Sequence, residues 1–146
     1  MARPTLEELY DRLEIDELLT RYATAIDSKN FDLLDQVFTP DAHLDYTTAG
    51  GIAGDFTTVK AWLAEVLPNF PQYQHVVGNR NVTLDGDTGS SVSKFFNPMV
   101  MQNGDTFFCG GEYRDQLVRT ADGWRIKDRF EQTVWTYGTV PAVPGT

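Results

Sequence analysis

Before about residue 70 the apolar positions recur at helical spacing; after it they alternate. Leu6, Leu9, Tyr10 and Leu13 stand at i, i+3, i+4 and i+7. Ile15, Leu18, Leu19, Tyr22 and Ile26 repeat that spacing in a shifted phase. The shift predicts a short helix, a break near Leu13 and a second helix to about Asp27. Ser28-Lys29-Asn30 stops that helix and starts another, with Asn30 at the N-cap. Leu33, Leu34, Val37 and Phe38 predict a third helix, closed by Pro40. Val59, Trp62, Leu63, Val66 and Leu67 predict a fourth, closed by Pro68. Asp41 to Tyr46 is a short strand between them. Gln74 to Leu84, Ser90 to Met101, Thr106 to Arg119 and Trp124 to about Trp135 read as long strands. They are separated by the turns Asp85-Gly86-Asp87, Asn103-Gly104 and Asp122-Gly123. Three turns between four strands specify an antiparallel meander. Helices segregated from strands specify an α+β domain. Pro98 has no N–H for a ladder and marks a bulge or an edge. Helices covering one face of a curved antiparallel sheet would enclose a cone-shaped interior pocket. Residues 1–146 are read as one domain, with 139–146 (TVPAVPGT) a flexible tail.

Composition narrows the function. Of 146 residues 41% are hydrophobic, too many for a disordered chain and enough for a sizeable core. One cysteine excludes an internal disulfide and a Cys-based zinc site. Two histidines are too few for a His-rich metal site, so no metal is expected. Twelve Lys and Arg against 21 Asp and Glu leave a formal charge of -9. That charge repels phosphate backbones and anionic membrane surfaces, so neither nucleic acid nor membrane is expected as a partner. No apolar run approaches the ~18 residues of a span, and the acidic N-terminus is unlike a signal peptide. A cytoplasmic location in a reducing compartment is the expectation. No P-loop, G-x-G-x-x-G or G-x-S-x-G occurs, and no cofactor is expected.

Alternation in Asp41 to Tyr46 puts Ala42, Leu44 and Tyr46 on one face, which is apolar and should point inward. His43 then faces solvent between Asp41 and Asp45, away from any pocket. His75 opens a long strand after an aromatic stretch and is either a pocket base or a strand-edge residue. A working histidine needs a carboxylate or carbonyl to fix its tautomer, and Asp27, where helix becomes loop, is available. Asp27 alternatively only ends its helix. Tyr22 lies on the apolar stripe of its helix and by itself reads as core. Helical and strand phase place Trp62, Val66, Phe95, Asn97, Phe107 and Cys109 along a pocket wall. Cys109 is a nucleophile paired with His75 or, as for most lone buried cysteines, a small hydrophobe.

The stretches RYATAIDSKNFDLLDQVFTPDAHLDY, QHVVGN, LDGDT and DGWRIKDR, in that order, resemble the SnoaL-like branch of the nuclear transport factor 2-like superfamily. The resemblance runs from about Leu6 to Trp135. It implies a curved sheet wrapped by helices around a cone-shaped cavity. The nearest functional pattern resembles the scytalone dehydratase and bile-acid dehydratase group, in which a helix-end aspartate supports a histidine among cavity tyrosines. By that likeness Asp27 and His75 form a dyad, and Tyr46 and Tyr22 match cavity tyrosines. Two departures stand out: Ile26 occupies the place of a tyrosine, and Cys109-Gly110-Gly111 replaces a second histidine. The resemblance implies a cofactor-independent lyase (dehydratase) or isomerase acting on a small hydrophobic cyclic carbonyl compound. It also implies a homodimer or homotrimer. A non-catalytic ligand-binding or oligomerisation module and a polyketide cyclase are the alternatives. An epoxide hydrolase would need an Asp-Arg-Asp arrangement, which the sequence does not reveal.

Overall fold

A computed structural model describes residues 2–141. Helix α1 spans Leu6–Asp27 without interruption. Thr5 and Glu8 start it with a reciprocal capping box: the Thr5 side chain accepts from the Glu8 N–H, and the Glu8 carboxylate accepts from the Thr5 N–H. The expected break near Leu13 is absent. The phase shift instead reflects two apolar stripes on one helix. Ile15, Leu18, Leu19, Tyr22, Ala25 and Ile26 are buried, whereas Leu6, Leu9, Tyr10 and Leu13 face solvent. Asp11 takes the core-facing place one turn before Ile15. Its carboxylate accepts from Arg119 at 2.7 and 2.9 Å and from the Trp124 indole at 3.0 Å.

The third predicted helix is corrected. Residues Phe31–Gln36 form a 3₁₀ turn, and Phe38 already begins strand β1 (Phe38–Asp45). Pro40 therefore sits inside a strand. It is tolerated there because β1 is out of step with its neighbour between Phe38 and His43, where no ladder bond is required of it. Strand β2 (Ala53–Asp55) leads into helix α2 (Phe56–Val66), capped by the Asp55 carboxylate on the Thr58 N–H. Pro68 follows in a 3₁₀ turn.

The remaining strands are β3 (Gln72–Tyr73), β4 (Val76–Asp85), β5 (Thr88–Val100), β6 (Thr106–Thr120) and β7 (Gly123–Gly138). β4 to β7 form the expected antiparallel meander. β1 adds to β7 in parallel, so the sheet is mixed, with order β2-β1-β7-β6-β5-β3 and β4 also on β5. Bulges on β4 and β7 bend it. Its concave face packs on α1 and α2, and the core fills the space between. The convex face carries an outward aromatic stack in which Phe96 meets Phe108 and Trp135, and Phe108 meets Tyr137. Of the expected tail, Thr139 to Pro141 have no regular structure, and 142–146 lie outside the described residues.

Candidate active site

Asp27 is the last residue of α1, and His75 stands in the gap between β3 and β4. Pro98 creates that gap. The Pro98 carbonyl accepts the Gln74 N–H at 3.2 Å, but proline offers no N–H to the Gln74 carbonyl in return. The Asn97 side-chain amide donates to that carbonyl instead, at 3.0 Å. Released from the ladder, the His75 N–H donates to both Asp27 oxygens, at 3.1 and 2.9 Å. The His75 ring closes the same pair, with Nδ1 2.7 Å from Asp27 Oδ1. The Tyr73 hydroxyl donates to the Ile26 carbonyl at 2.7 Å and ties the helix end to this gap. The carboxylate can only accept, so the ring carries its proton on Nδ1 and leaves Nε2 as the free base.

A cavity of about 130 Å³ lies under the concave face, and His75 is on its wall. Every other residue singled out from sequence for the pocket also lines it: Tyr22, Tyr46, Trp62, Val66, Phe95, Asn97, Phe107 and Cys109. Asp27 stands behind His75. His43 lies on the outer side, half exposed, with Nδ1 3.6 Å from Asp128. The Tyr22 and Tyr46 hydroxyls are 2.9 Å apart and buried. Burial pushes both phenols well above their ordinary 10, so they remain O–H donors. One donates to the other and leaves one hydrogen for a ligand oxygen. The Cys109 thiol lies 3.6 Å from the Asn97 carbonyl and side-chain oxygens. Burial, then the Glu131 charge, pushes it up to about 12, which keeps it a thiol and a poor nucleophile.

Among the residues that sequence reasoning missed are Tyr113, Asp115, Arg129 and Glu131. Tyr113 stacks on Phe95 at 4.7 Å and meets Tyr22 edge-on at 5.4 Å. Arg129 lies beneath, 4.1 Å from the Tyr22 and Tyr113 rings, with Nε and Nη2 each 2.8 Å from an Asp115 oxygen. Both charged side chains of that pair are fully buried. Glu131 lines the cavity and is 2% exposed. For Arg129 and Glu131 the obscured signal was strand parity. Trp124 and Ile126 point inward, but Gln116 pairs with Asp128 and Leu117 with Ile126, so Lys127 is an extra residue. Beyond that bulge the inward parity reverses, which turns Arg129 and Glu131 inside.

The SnoaL-like domain family matches residues 7–130. The chain belongs to the SnoaL-like family. Its fold is the nuclear transport factor 2-like one that the sequence resemblance implied. Within the reach of that family, Uncharacterized protein Rv2910c of Mycobacterium tuberculosis is 53% identical over 130 residues, 87% of this chain and 88% of the relative. The crystal structure of Kfla4162 protein from Kribbella flavida superposes with a TM-score of 0.82 at 27% identity, covering 89% of this chain and 95% of that one. A hexachlorocyclohexane dehydrochlorinase, LinA Type2, superposes with a TM-score of 0.81 at 17% identity, covering 97% and 99%. This SnoaL-like chain thus shares its fold with an enzyme named for an elimination reaction.

Proposed function

We propose that this protein is a cofactor-independent lyase that removes water from a small, cyclic, hydrophobic carbonyl compound. The observation that carries the reading is the doubly held Asp27–His75 pair at the wall of a largely apolar cavity. His75 Nε2 takes a proton from the carbon α to the carbonyl. Asp27 holds the ring in the tautomer that leaves Nε2 bare and balances the imidazolium that forms. The free hydrogen of the Tyr22–Tyr46 pair supports the oxygen on which charge develops. Size sets the substrate class. A cavity of about 150 Å³ holds one benzene, so the 130 Å³ here fits one six-membered ring with little to spare. The likeness to the dehydrochlorinase supports an elimination on this fold. The bare aromatic stack on the convex face supports the homodimer or homotrimer that the resemblance implies, since monomers rarely leave such a surface open.

The test uses cyclic β-hydroxy ketones, beginning with 3-hydroxycyclohexanone, in D₂O. The wild-type protein is expected to exchange α-protons and release the enone. His75→Ala and Asp27→Asn are each expected to lower both rates at least ~10²-fold, the usual range for general acid–base groups. His43→Ala is expected to leave them unchanged. α-Exchange that is as fast in His75→Ala as in the wild type would overturn the reading.

A further inference from the structure

Glu131 is a buried carboxyl on the cavity wall that the mechanism above does not use. Its Oε1 accepts from the Thr133 hydroxyl at 2.7 Å. Its Oε2 is buried and has no partner among the described residues. A buried carboxyl oxygen left unpaired is costly. The obvious structural excuse fails. Glu131 is not needed to neutralise Arg129, because Asp115 already holds that guanidinium in a two-pronged pair. If ionised, Glu131 would be a surplus negative charge. Arg129 on its own strand is the one positive group among its charged neighbours, and Asp45 of β1 opposes it. Facing it from β6 are Cys109 and Tyr113, both neutral. Burial, acting before the weaker pulls of Thr133 and Arg129, pushes its carboxyl up to about 7. At neutral pH much of it is therefore a carboxylic acid, with Thr133 on one oxygen and the acidic hydrogen on the other.

Position gives that acid a role. Glu131 is on β7 and His75 at the β3–β4 gap, three strands away in the sheet order, yet both line one cavity. A ring bound between them meets a base on one side and an acid on the other. We propose that Glu131 is the proton donor of this cavity, presenting its Oε2–H to the hydroxyl that leaves as His75 removes the α-proton. The proposal rests on the lyase reading. The C–H electron pair becomes the new C=C bond, and the C–O pair stays with the oxygen. That oxygen takes the Glu131 proton and departs as water. His75 is left protonated and Glu131 ionised, and proton transfer from one to the other through solvent restores both.

Two measurements decide it. The first needs no turnover. In protein labelled with ¹³C at glutamate Cδ, the signal missing from Glu131→Gln is followed against pH, with and without cyclohexanone. A midpoint near 7 that rises when the neutral ketone binds is expected, in wild type and in His75→Ala alike. A midpoint below 5, or one indifferent to the ketone, would overturn the proposal. The second compares elimination with α-exchange of 3-hydroxycyclohexanone. Glu131→Gln keeps the shape but has no acidic proton. It is expected to lower the ratio of elimination to exchange ~10²-fold or more. An equal fall in both rates would assign Glu131 to the scaffold. Failure of wild type to exchange α-protons would count against His75 as base, leaving the carboxyl titration to judge Glu131.

Discussion

At the residue scale the site depends on a few buried polar side chains. Asp27 accepts three contacts from one residue, two from the His75 N–H and one from its ring. That geometry fixes backbone and side chain together, so Asp27→Asn removes the charge and also confuses the tautomer. Arg129 is the opposite case, a charge placed where no ligand needs to reach it. Fully buried under two aromatic rings, it is tolerable only because Asp115 pairs with it from the neighbouring strand. Asp115→Ala is expected to cost about 3–5 kcal/mol, because it strands a buried guanidinium. Denaturant unfolding of the two proteins checks this. A loss under 1 kcal/mol would mean that Arg129 finds water once Asp115 is gone.

At the scale of elements, irregularities rather than regular strands make the site. The β3–β4 gap exists because Pro98 lacks an N–H, and Asn97 supplies the donor that the proline cannot. Asn97 is 3% exposed, so Asn97→Leu removes the buried amide that bonds the Gln74 carbonyl. A cost of about 1–3 kcal/mol is expected, together with slower α-exchange as His75 loses its fixed position. Unfolding and the exchange assay measure the two effects, and a variant of wild-type stability would show that the gap does not need that amide. Gly110 and Gly111 on β6 face the bulge at Val134 on β7. A Cβ on Gly111 would run into the Gln132 carbonyl, and one on Gly110 into the Trp135 ring. Lys127 is a second extra residue on β7 and reverses its inward parity.

At the scale of the whole molecule, stability should carry the mark of Glu131. Its carboxyl lies near 7 in the folded protein and near 4.5 when exposed. Folding therefore favours the protonated form. Below about 4.5 both states are protonated and the contribution is intact. As pH rises to about 7 the unfolded chain ionises first, and stability falls by on the order of 3 kcal/mol. Glu131→Gln cannot ionise. Its unfolding free energy is expected to fall less than that of wild type between pH 5 and pH 8, as read by denaturation at both. Equal losses would place Glu131 in contact with water.

Much of this architecture is present in the one-dimensional pattern. Period and turn residues specify the first and last helices, the four-stranded meander and the inward face of Ala42, Leu44 and Tyr46, because those features depend on neighbours within a few positions. The pocket residues follow from the same phase, and the family likeness pairs Asp27 with His75. Three-dimensional packing decided the rest. It kept α1 continuous through Leu13, since an outward apolar stripe and a kink look alike in sequence. It laid β1 parallel to β7, a pairing between residues some 85 positions apart that no local signal encodes. And it turned Arg129 and Glu131 inward, because one extra residue at Lys127 reverses a strand's parity, and only the partner strand shows where that residue falls.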